Sequence, residues 1–192
     1  MKLTLLAAFI VTATSSLAQT NSPVNDFGTV AGVETSALSV ILDNTKAVET
    51  YTLGPKLLVL QNRKVTLADI KPNDFVASAA ARGVDGKLHS IEVRIYPEAL
   101  RGTGEGQRPM DEANSRTLTN ATVTGTALVG DSNRLTVTFP GGQSELIVDP
   151  GVPVTRIESV DRTSVKPGMR VRVQGSRGDG GGATVSRITL LE

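Results

Sequence analysis

Apolar and polar side chains alternate along several short stretches of this sequence. The clearest alternating apolar positions are Ile91, Val93 and Ile95; Leu135, Val137 and Phe139; and Val171 and Val173. A period of two with many β-branched residues is typical of strands that bury one face. No stretch repeats its apolar residues with the period of a helix, and only 68–72 and its counterpart near Ser164 favour a helical turn. The pattern predicts an all-β protein.

Residues with turn chemistry separate these stretches. They are Asp85-Gly86, Pro140-Gly141-Gly142, Asp149-Pro150-Gly151 and Pro167-Gly168. Five or six short strands in about 70 residues can bury an apolar face only by curling into a small barrel or sandwich. The sequence favours small β-barrels and leaves two types open, OB-like and SH3-like.

The second half of the chain repeats the pattern of the first. When Lys71-Pro72 is placed over Lys166-Pro167, the segments 66–95 and 161–190 run in parallel. Upstream, 28–32 resembles 121–125 and 37–42 resembles 134–139. A repeat of this length indicates an internal duplication. We therefore predict two tandem β-barrels, 27–96 and 120–192, joined by a Gly/Pro-rich linker, 97–119.

The first 18 residues have the pattern of a secretory signal peptide. Lys2 provides a positive start, 3–11 is an apolar run, and Ser16 and Ala18 are small residues suited to signal peptidase. The run is shorter than the roughly 20 residues that span a bilayer. We expect cleavage after Ala18, removal of 1–18, and an exported protein, periplasmic or secreted, with no membrane span after signal removal.

Composition and net charge limit the classes of molecule that the protein is expected to bind. The chain has no cysteine, so disulfides do not contribute to its stability. Its 20 basic and 19 acidic side chains become 19 and 19 when Lys2 leaves with the signal peptide. A neutral chain lacks the basic footprint of a nucleic-acid binder, and it equally lacks the charge that attracts anionic lipid.

The linker and the repeated turns carry a resemblance to a known family. The segment IYPEALRGTGEGQRPMD, followed by TLTNATVTG, resembles exported proteobacterial proteins with two small β-barrel modules, a family of domains of unknown function. Members are often catalogued as "metal ABC transporter permease". A permease needs several membrane-spanning helices, and the sequence has no segment for them after the signal.

Two linker positions depart from the family pattern. The resemblance implies Gly-Glu-Gly-His-Arg-Pro-Trp in the linker, whereas this chain has Gln107 in place of the histidine and Met110 in place of the tryptophan. A metal ligand at that histidine would be lost here. Methionine is a softer, more adaptable contact than tryptophan.

The glycine-rich stretch 101–106 is the most conspicuous candidate for ligand binding. A phosphate loop needs a helix N-terminus after it, and the sequence predicts no such helix. We interpret the stretch first as a flexible connector. The alternative is an ordered linker that packs between the barrels or contacts a partner, with Arg101, Glu105, Arg108 and Met110 as the contact residues.

Catalytic and metal-binding patterns are weak. His89 is the only histidine, and the sequence contains no Gly-x-Ser-x-Gly motif, so we interpret His89 as a surface or packing residue. Without cysteine, a structural zinc site is not expected, and no EF-hand loop is present. We predict no catalytic residue, no cofactor and no bound metal.

The function that these patterns favour is a non-catalytic periplasmic binding or interaction module, with another envelope protein as its partner. One alternative is an accessory of metal or solute transport. Another is a carboxylate- or cation-dependent hydrolase, which would require carboxylates such as Glu92, Asp111 or Glu112 to converge. The arginines of the second repeat, interleaved with acids, are interpreted as a mixed solvent-exposed face.

Overall fold

The computed structural model describes residues 21–111, 115–129 and 132–191, and within them the all-β prediction is confirmed. These residues form one mixed sheet without an α-helix. The strands are β1 (Ser22–Val33), β2 (Ala37–Leu42), β3 (Val48–Val65), β4 (Phe75–Arg82), β5 (Leu88–Tyr96), β6 (Gly106–Pro109), β7 (Arg116–Val129), β8 (Ser132–Phe139), β9 (Gly142–Val148), β10 (Val154–Val160), β11 (Arg170–Arg177) and β12 (Ala183–Leu190). The predicted signal peptide, 1–18, lies outside the described residues.

Short 3-10 turns and glycine turns separate the strands where the sequence predicts them. The turns Leu67–Asp69 and Arg162–Ser164 are the two predicted helical turns. Gly86, Gly141, Gly151 and Gly168 all have positive φ, a conformation that glycine adopts without steric cost. A third 3-10 turn, Glu98–Leu100, lies in the linker, where none was predicted.

The predicted alternation is confirmed except at one position. Val93 and Ile95 are fully buried, but Ile91 is 48% exposed. The reason is a bulge: Ala79 pairs with Glu92 and Ala80 pairs with Ser90, so Ile91 has no partner in the ladder. An extra residue reverses the in–out phase of the strand before it, which a pattern of strict period two cannot show.

The strand pairings form two closed circuits. In the first circuit, β1, β2, β3, β12 and β11 pair in that cyclic order. In the second circuit, β4, β7, β8, β9 and β5 do the same. The two circuits are joined by β10, which pairs antiparallel with β3 and parallel with β5. Each circuit therefore takes three strands from one of the segments 27–96 and 120–192 and two from the other.

The two hydrophobic cores follow the circuits. One cluster packs Leu38, Val40 and Tyr51 of β2 and β3 against Val171, Val185 and Ile188 of β11 and β12. The other packs Val76, Val93 and Ile95 of β4 and β5 against Val123, Leu135 and Leu146 of β7, β8 and β9. The first core joins apolar faces that lie more than a hundred residues apart in sequence. The second joins faces about fifty residues apart. In both, the sheet brings the faces together.

Several elements of the two halves of the chain recur at a spacing of 95 residues. The 3-10 turns begin at Leu67 and Arg162, and β4 and β11 begin at Phe75 and Arg170, in both cases 95 residues apart. The parallel pairs follow the same spacing, because His89 pairs with Ile147 while Thr184 pairs with Thr52. Strand β1 matches β7 within two residues.

The strands that link the circuits pair with each other. Val65 faces Val154, Val59 faces Val160, and Asn62 faces Ile157 between them. Asn62 and Ile157 are themselves 95 residues apart, so the centre of the antiparallel ladder pairs two equivalent positions. None of the residues in the described ranges forms a helix with the length and hydropathy needed to cross a membrane.

Candidate functional site

An arginine-lined cleft lies where the two circuits meet. Its floor is a small hydrophobic cluster of Leu60 on β3, Ile157 on β10 and Leu100 in the linker turn. The cleft has a volume of about 310 Å³. Its remaining lining residues are Phe27, Asn62, Arg94, Tyr96, Arg172, Gln174, Arg187, Thr189 and Leu191. Strands from both circuits therefore build one concave surface, which we call the arginine cleft.

Three arginines give the arginine cleft its charge, and each is held differently. Arg94 donates to the Glu92 carboxylate at 2.9 Å. The Arg172 guanidinium lies 5.3 Å from the centre of the Phe27 ring, and its Nε donates to Asn25 Oδ1 at 2.7 Å. A cation over an aromatic face is attracted by the negative charge of the ring face. Among the described residues that line the cleft, no side chain is acidic.

Arg187 has no such compensation. Its Nε is buried and has no hydrogen-bond partner among the described residues. The strand positions explain the location: Arg187 pairs with Gln174 on one side and with Leu58 on the other, so it is central in the sheet. A buried donor without a partner costs about 1–3 kcal/mol, and more when the group is charged. An anion in the cleft would supply the missing acceptor.

The linker that the sequence singled out is ordered over its described part. Arg101 donates to Glu98, to the Asn73 carbonyl at 2.8 Å and to Thr122 Oγ1 at 3.4 Å. Its guanidinium lies 5.9 Å from the centre of the Phe75 ring. The Arg101 hydrogen bond to Glu98 lowers the pKa of that carboxyl below its ordinary value. Arg101 thus connects the linker to β4, to the turn before it and to β7 of the second circuit.

The other predicted contact residues lie on the surface of the same segment. Arg108 donates to the Gly104 carbonyl at 2.7 Å, Glu105 is exposed, and Met110 is 46% exposed. None of the four predicted contact residues lines the arginine cleft; the linker contributes Leu100 instead. Their role as partner contacts stays a prediction. Gln107 donates to the Thr119 and Ser144 hydroxyls.

His89 lies between two carboxylates near the end of the second circuit. Its Nδ1 is 2.7 Å from Asp149 Oδ2, and its Nε2 is 3.2 Å from Asp85 Oδ1. The hydrogen bond to Asp149, followed by the one to Asp85, raises the pKa of His89 above its ordinary value. His89 also pairs with Ile147 in the short ladder between β5 and β9. His89 therefore connects β5 to the turn after β9, where the pairing of these two strands closes the second circuit.

Replacing His89 with glutamine is expected to remove a pH-dependent part of the stability. Because the folded-state pKa is raised, the imidazolium stabilises the fold fully below about pH 6.5 and loses this effect as the pH rises through the folded pKa. The difference in melting temperature between the wild-type chain and His89→Gln should be larger at about pH 6 than at about pH 9. A difference that is constant over this range would contradict a stabilising interaction of charged His89 with Asp149 and Asp85.

The carboxylates considered for hydrolysis or metal binding do not gather in the described structure. Glu92 pairs with Arg94, and Asp111 accepts from Ser115 and Arg116. Glu112 lies outside the described residues. Within the described ranges, no group of three or more histidine, cysteine or acidic side chains is arranged to hold a metal ion.

The arginine cleft was not predicted from the sequence, although the arginines of the second half of the chain were noted. Arg172 and Arg187 alternate with buried valines and an isoleucine, as residues on the solvent face of a strand do, and we interpreted them as a mixed exposed face. Only the position of β3, β10 and the linker turn converts that face into the wall of a cleft. Phe27, on β1, is 44% exposed, and its ring lies under the Arg172 guanidinium.

Comparison with known proteins adds no family assignment. No protein-family model matches the chain, and searches of curated proteins and of solved structures give no match.

Proposed function

We propose that this protein is an exported, non-catalytic binding module that holds an anionic group in the arginine cleft. The proposal of export rests on the signal pattern of 1–18. An exported mature chain lies in the periplasm or outside the cell. The resemblance to two-module exported proteins supports the same location. The binding function rests on the cleft.

We further propose that the two circuits are small barrels that arose by tandem duplication and exchanged their last two strands. The spacing of 95 residues supports the duplication, because two of the 3-10 turns, the parallel pairs and the bulges of β5 and β12 recur at it. The pairing of β3 with β10 supports the exchange, because these are the strands along which the chain crosses from one circuit to the other. OB-like and SH3-like barrels both have five strands that fit such a circuit.

A single observation carries the binding function: the buried Nε of Arg187 lacks an acceptor in a cleft that has cationic walls. Guanidinium groups bind carboxylate and phosphate oxygens with paired, charge-assisted hydrogen bonds. The cleft also has an apolar floor of Leu60, Leu100 and Ile157. An organic anion, with a carboxylate or phosphate attached to an apolar body, fits both features.

This chemistry also bears on the transport alternative. Arg172 and Arg187 repel a metal cation and attract an anion, whereas the charge of Arg94 is paired with Glu92. If the protein assists a transport system, the arginine cleft favours an anionic solute over a metal ion as the cargo. A metal-handling role would need a different site.

A panel of small anions tests the proposal on the mature chain. We expect phenyl phosphate or benzoate to raise the melting temperature, since a ligand at 100 times its dissociation constant stabilises the folded state by about 2.7 kcal/mol. Arg187→Gln should weaken this binding about tenfold or more, which corresponds to about 1.4 kcal/mol. Binding should also weaken with added salt.

Arg134→Gln is the matched control. Arg134 is a strand arginine of the second circuit that pairs with Glu145 at 3.4 Å and lies outside the cleft lining. Its replacement should leave anion affinity unchanged. The proposal fails if Arg187→Gln binds the anions as well as the wild-type chain does, or if the wild-type chain binds none of them.

A further inference from the structure

The first half of β1 has a ladder partner on one side only. Ser22–Thr29 pairs with β11, whereas pairing with β2 begins at Gly28. The Val30 N–H donates to the Met169 carbonyl on the β11 side, and the Phe27 carbonyl accepts from Asp43 on the other side. Since backbone groups alternate along a strand, the N–H and C=O of Asn25 face the unpaired side. Ser22–Asn25 is therefore an open sheet edge among the described residues.

The equivalent edge of the second circuit is already occupied by the chain itself. Val30 of β1 and Val123 of β7 make the same backbone hydrogen bonds, so Ser22–Asn25 corresponds to 115–118. At this end of β7, β6 adds as an antiparallel strand, with Arg108 opposite Leu118 and Pro109 opposite Thr117. The linker thus shows how a short extended segment adds to this edge in this fold.

The linker also covers the outer face beside that edge. Asn120 donates to the Thr103 carbonyl at 2.9 Å, in addition to the contacts of Arg101 with Phe75 and Thr122. Ala77 and Ala79 lie on this face and are only 6% and 7% exposed. Their equivalents in the first circuit are Arg172 and Gln174, beside the 44% exposed Phe27. One face is covered by the linker, and its counterpart is open.

The open face differs in charge from the covered one, and this indicates what would bind it. Arg172 and Arg187 stand where the second circuit has Ala77 and Glu92. A basic segment would be repelled at the open face by Arg172 and Arg187. An acidic segment would be attracted, and its carboxylates would reach the donors of the arginine cleft.

We propose that an extended acidic peptide segment of another protein adds as a strand to Ser22–Asn25 and places a carboxylate on Arg172, whose Nε already reaches Asn25. Main-chain hydrogen bonds to Asn25 supply the register, as in other complexes formed by strand addition, and the arginines supply the specificity. Because Pro23 has no N–H, the added ladder is short. The inference rests on the proposed function, since the peptide uses the same cleft.

A second copy of the chain is the less favourable occupant. Pairing two β1 edges would bring two copies of Arg172 and Phe27 together around the symmetry axis, and like charges across an interface oppose association. The acidic partner has no such repulsion. Self-association is therefore an outcome for the experiment to detect.

Three labelled peptides of about ten residues test the inference on the mature chain. One alternates threonine and glutamate, the second is the same peptide with N-methyl groups at alternate residues, and the third alternates threonine and lysine. We expect the first to bind, the second to bind at least about tenfold more weakly because its strand donors are blocked, and the third not to bind. Arg172→Gln should weaken binding of the first, and Arg134→Gln should not.

Amide hydrogen exchange at Asn25 locates the peptide. Strand addition should slow exchange of this amide at least about tenfold when the threonine–glutamate peptide is bound. If the N-methylated peptide binds equally well and the Asn25 amide exchanges at its free rate, strand addition is overturned while anion binding in the cleft stands.

The remaining outcomes separate the two proposals. If phenyl phosphate binds and no peptide does, the peptide inference is overturned and the proposed function stands. If neither small anions nor peptides bind, both are overturned. If the Asn25 amide is protected without peptide and the chain sediments as a dimer, a second copy occupies the edge and the inference is overturned.

Discussion

Leu38→Ala should destabilise the protein by about 2–5 kcal/mol and loosen strands more than 130 residues away. Leu38 is fully buried, and a leucine-to-alanine change in a core loses transfer free energy and leaves a cavity. Its cluster includes Val173 and Ile188, so amide exchange should accelerate in β11 and β12 as well as in β1 to β3. Urea unfolding gives the free energy, and exchange measured residue by residue gives the location.

Leu135→Ala is the matched control for this experiment. Leu135 is also a fully buried leucine, but it belongs to the other cluster, with Val76 and Ile95. Its replacement should accelerate exchange in β4, β5 and β7 to β9 and affect β11 and β12 less. If Leu38→Ala instead loosens β4 and β5, strands of its own sequence repeat, the circuit arrangement is contradicted.

Tyr51→Phe should cost about 1.5–3 kcal/mol near neutral pH, although it removes a single oxygen. Tyr51 is fully buried in the first cluster, and its hydroxyl donates to Asp26 Oδ2 at 2.8 Å. A hydrogen bond to a charged acceptor contributes more than a neutral one, and phenylalanine leaves the carboxylate without this donor. Tyr96→Phe is the control, because the Tyr96 hydroxyl makes no hydrogen bond with a described residue; its cost should be smaller.

The cost of Tyr51→Phe should also depend on alkaline pH. Burial, followed by the hydrogen bond to Asp26, raises the pKa of Tyr51 well above its ordinary value of 10.0. A raised folded-state pKa contributes stability that is fully present below the unfolded pKa and is lost as the pH rises through the folded one. The stability difference between wild type and Tyr51→Phe should therefore shrink above about pH 10, by at most about 1.4 kcal/mol per pH unit. A difference that stays constant to about pH 11 would contradict this assignment.

Local chemistry explains why so many elements could be predicted. Strict alternation at Leu135, Val137 and at Val171, Val173 identified strands because burial of one face needs only the period of the strand itself. The glycine turns followed from the same local rules. The prediction that Ile91 is buried was wrong because β5 has a bulge there. A bulge depends on pairing with the neighbouring strand, which the sequence of one strand does not show.

The candidate site could not be predicted in the same way. Glycines and charges made 101–106 conspicuous, but the arginine cleft is built from residues such as Arg94, Arg172 and Arg187, each of which resembles an ordinary exposed strand residue in sequence. A concave site needs the relative positions of distant strands. Its one distinguishing feature, the unpartnered Nε of Arg187, exists only after folding.

The side-chain pattern is sufficient to specify strands, turns and two similar sets of five strands, since each follows from residues close together in the chain. The pattern does not specify which strands complete which hydrophobic core. The segments 27–96 and 120–192 have similar apolar patterns, so β11 and β12 suit either three-strand partner by pattern alone. The choice depends on interactions made in three dimensions. The antiparallel pairing of β3 with β10 directs the chain from one circuit to the other. The linker, held by Arg101 and β6, covers the β7 edge of the second circuit and contacts the first circuit through Leu100. That asymmetry leaves the β1 edge and the arginine cleft open.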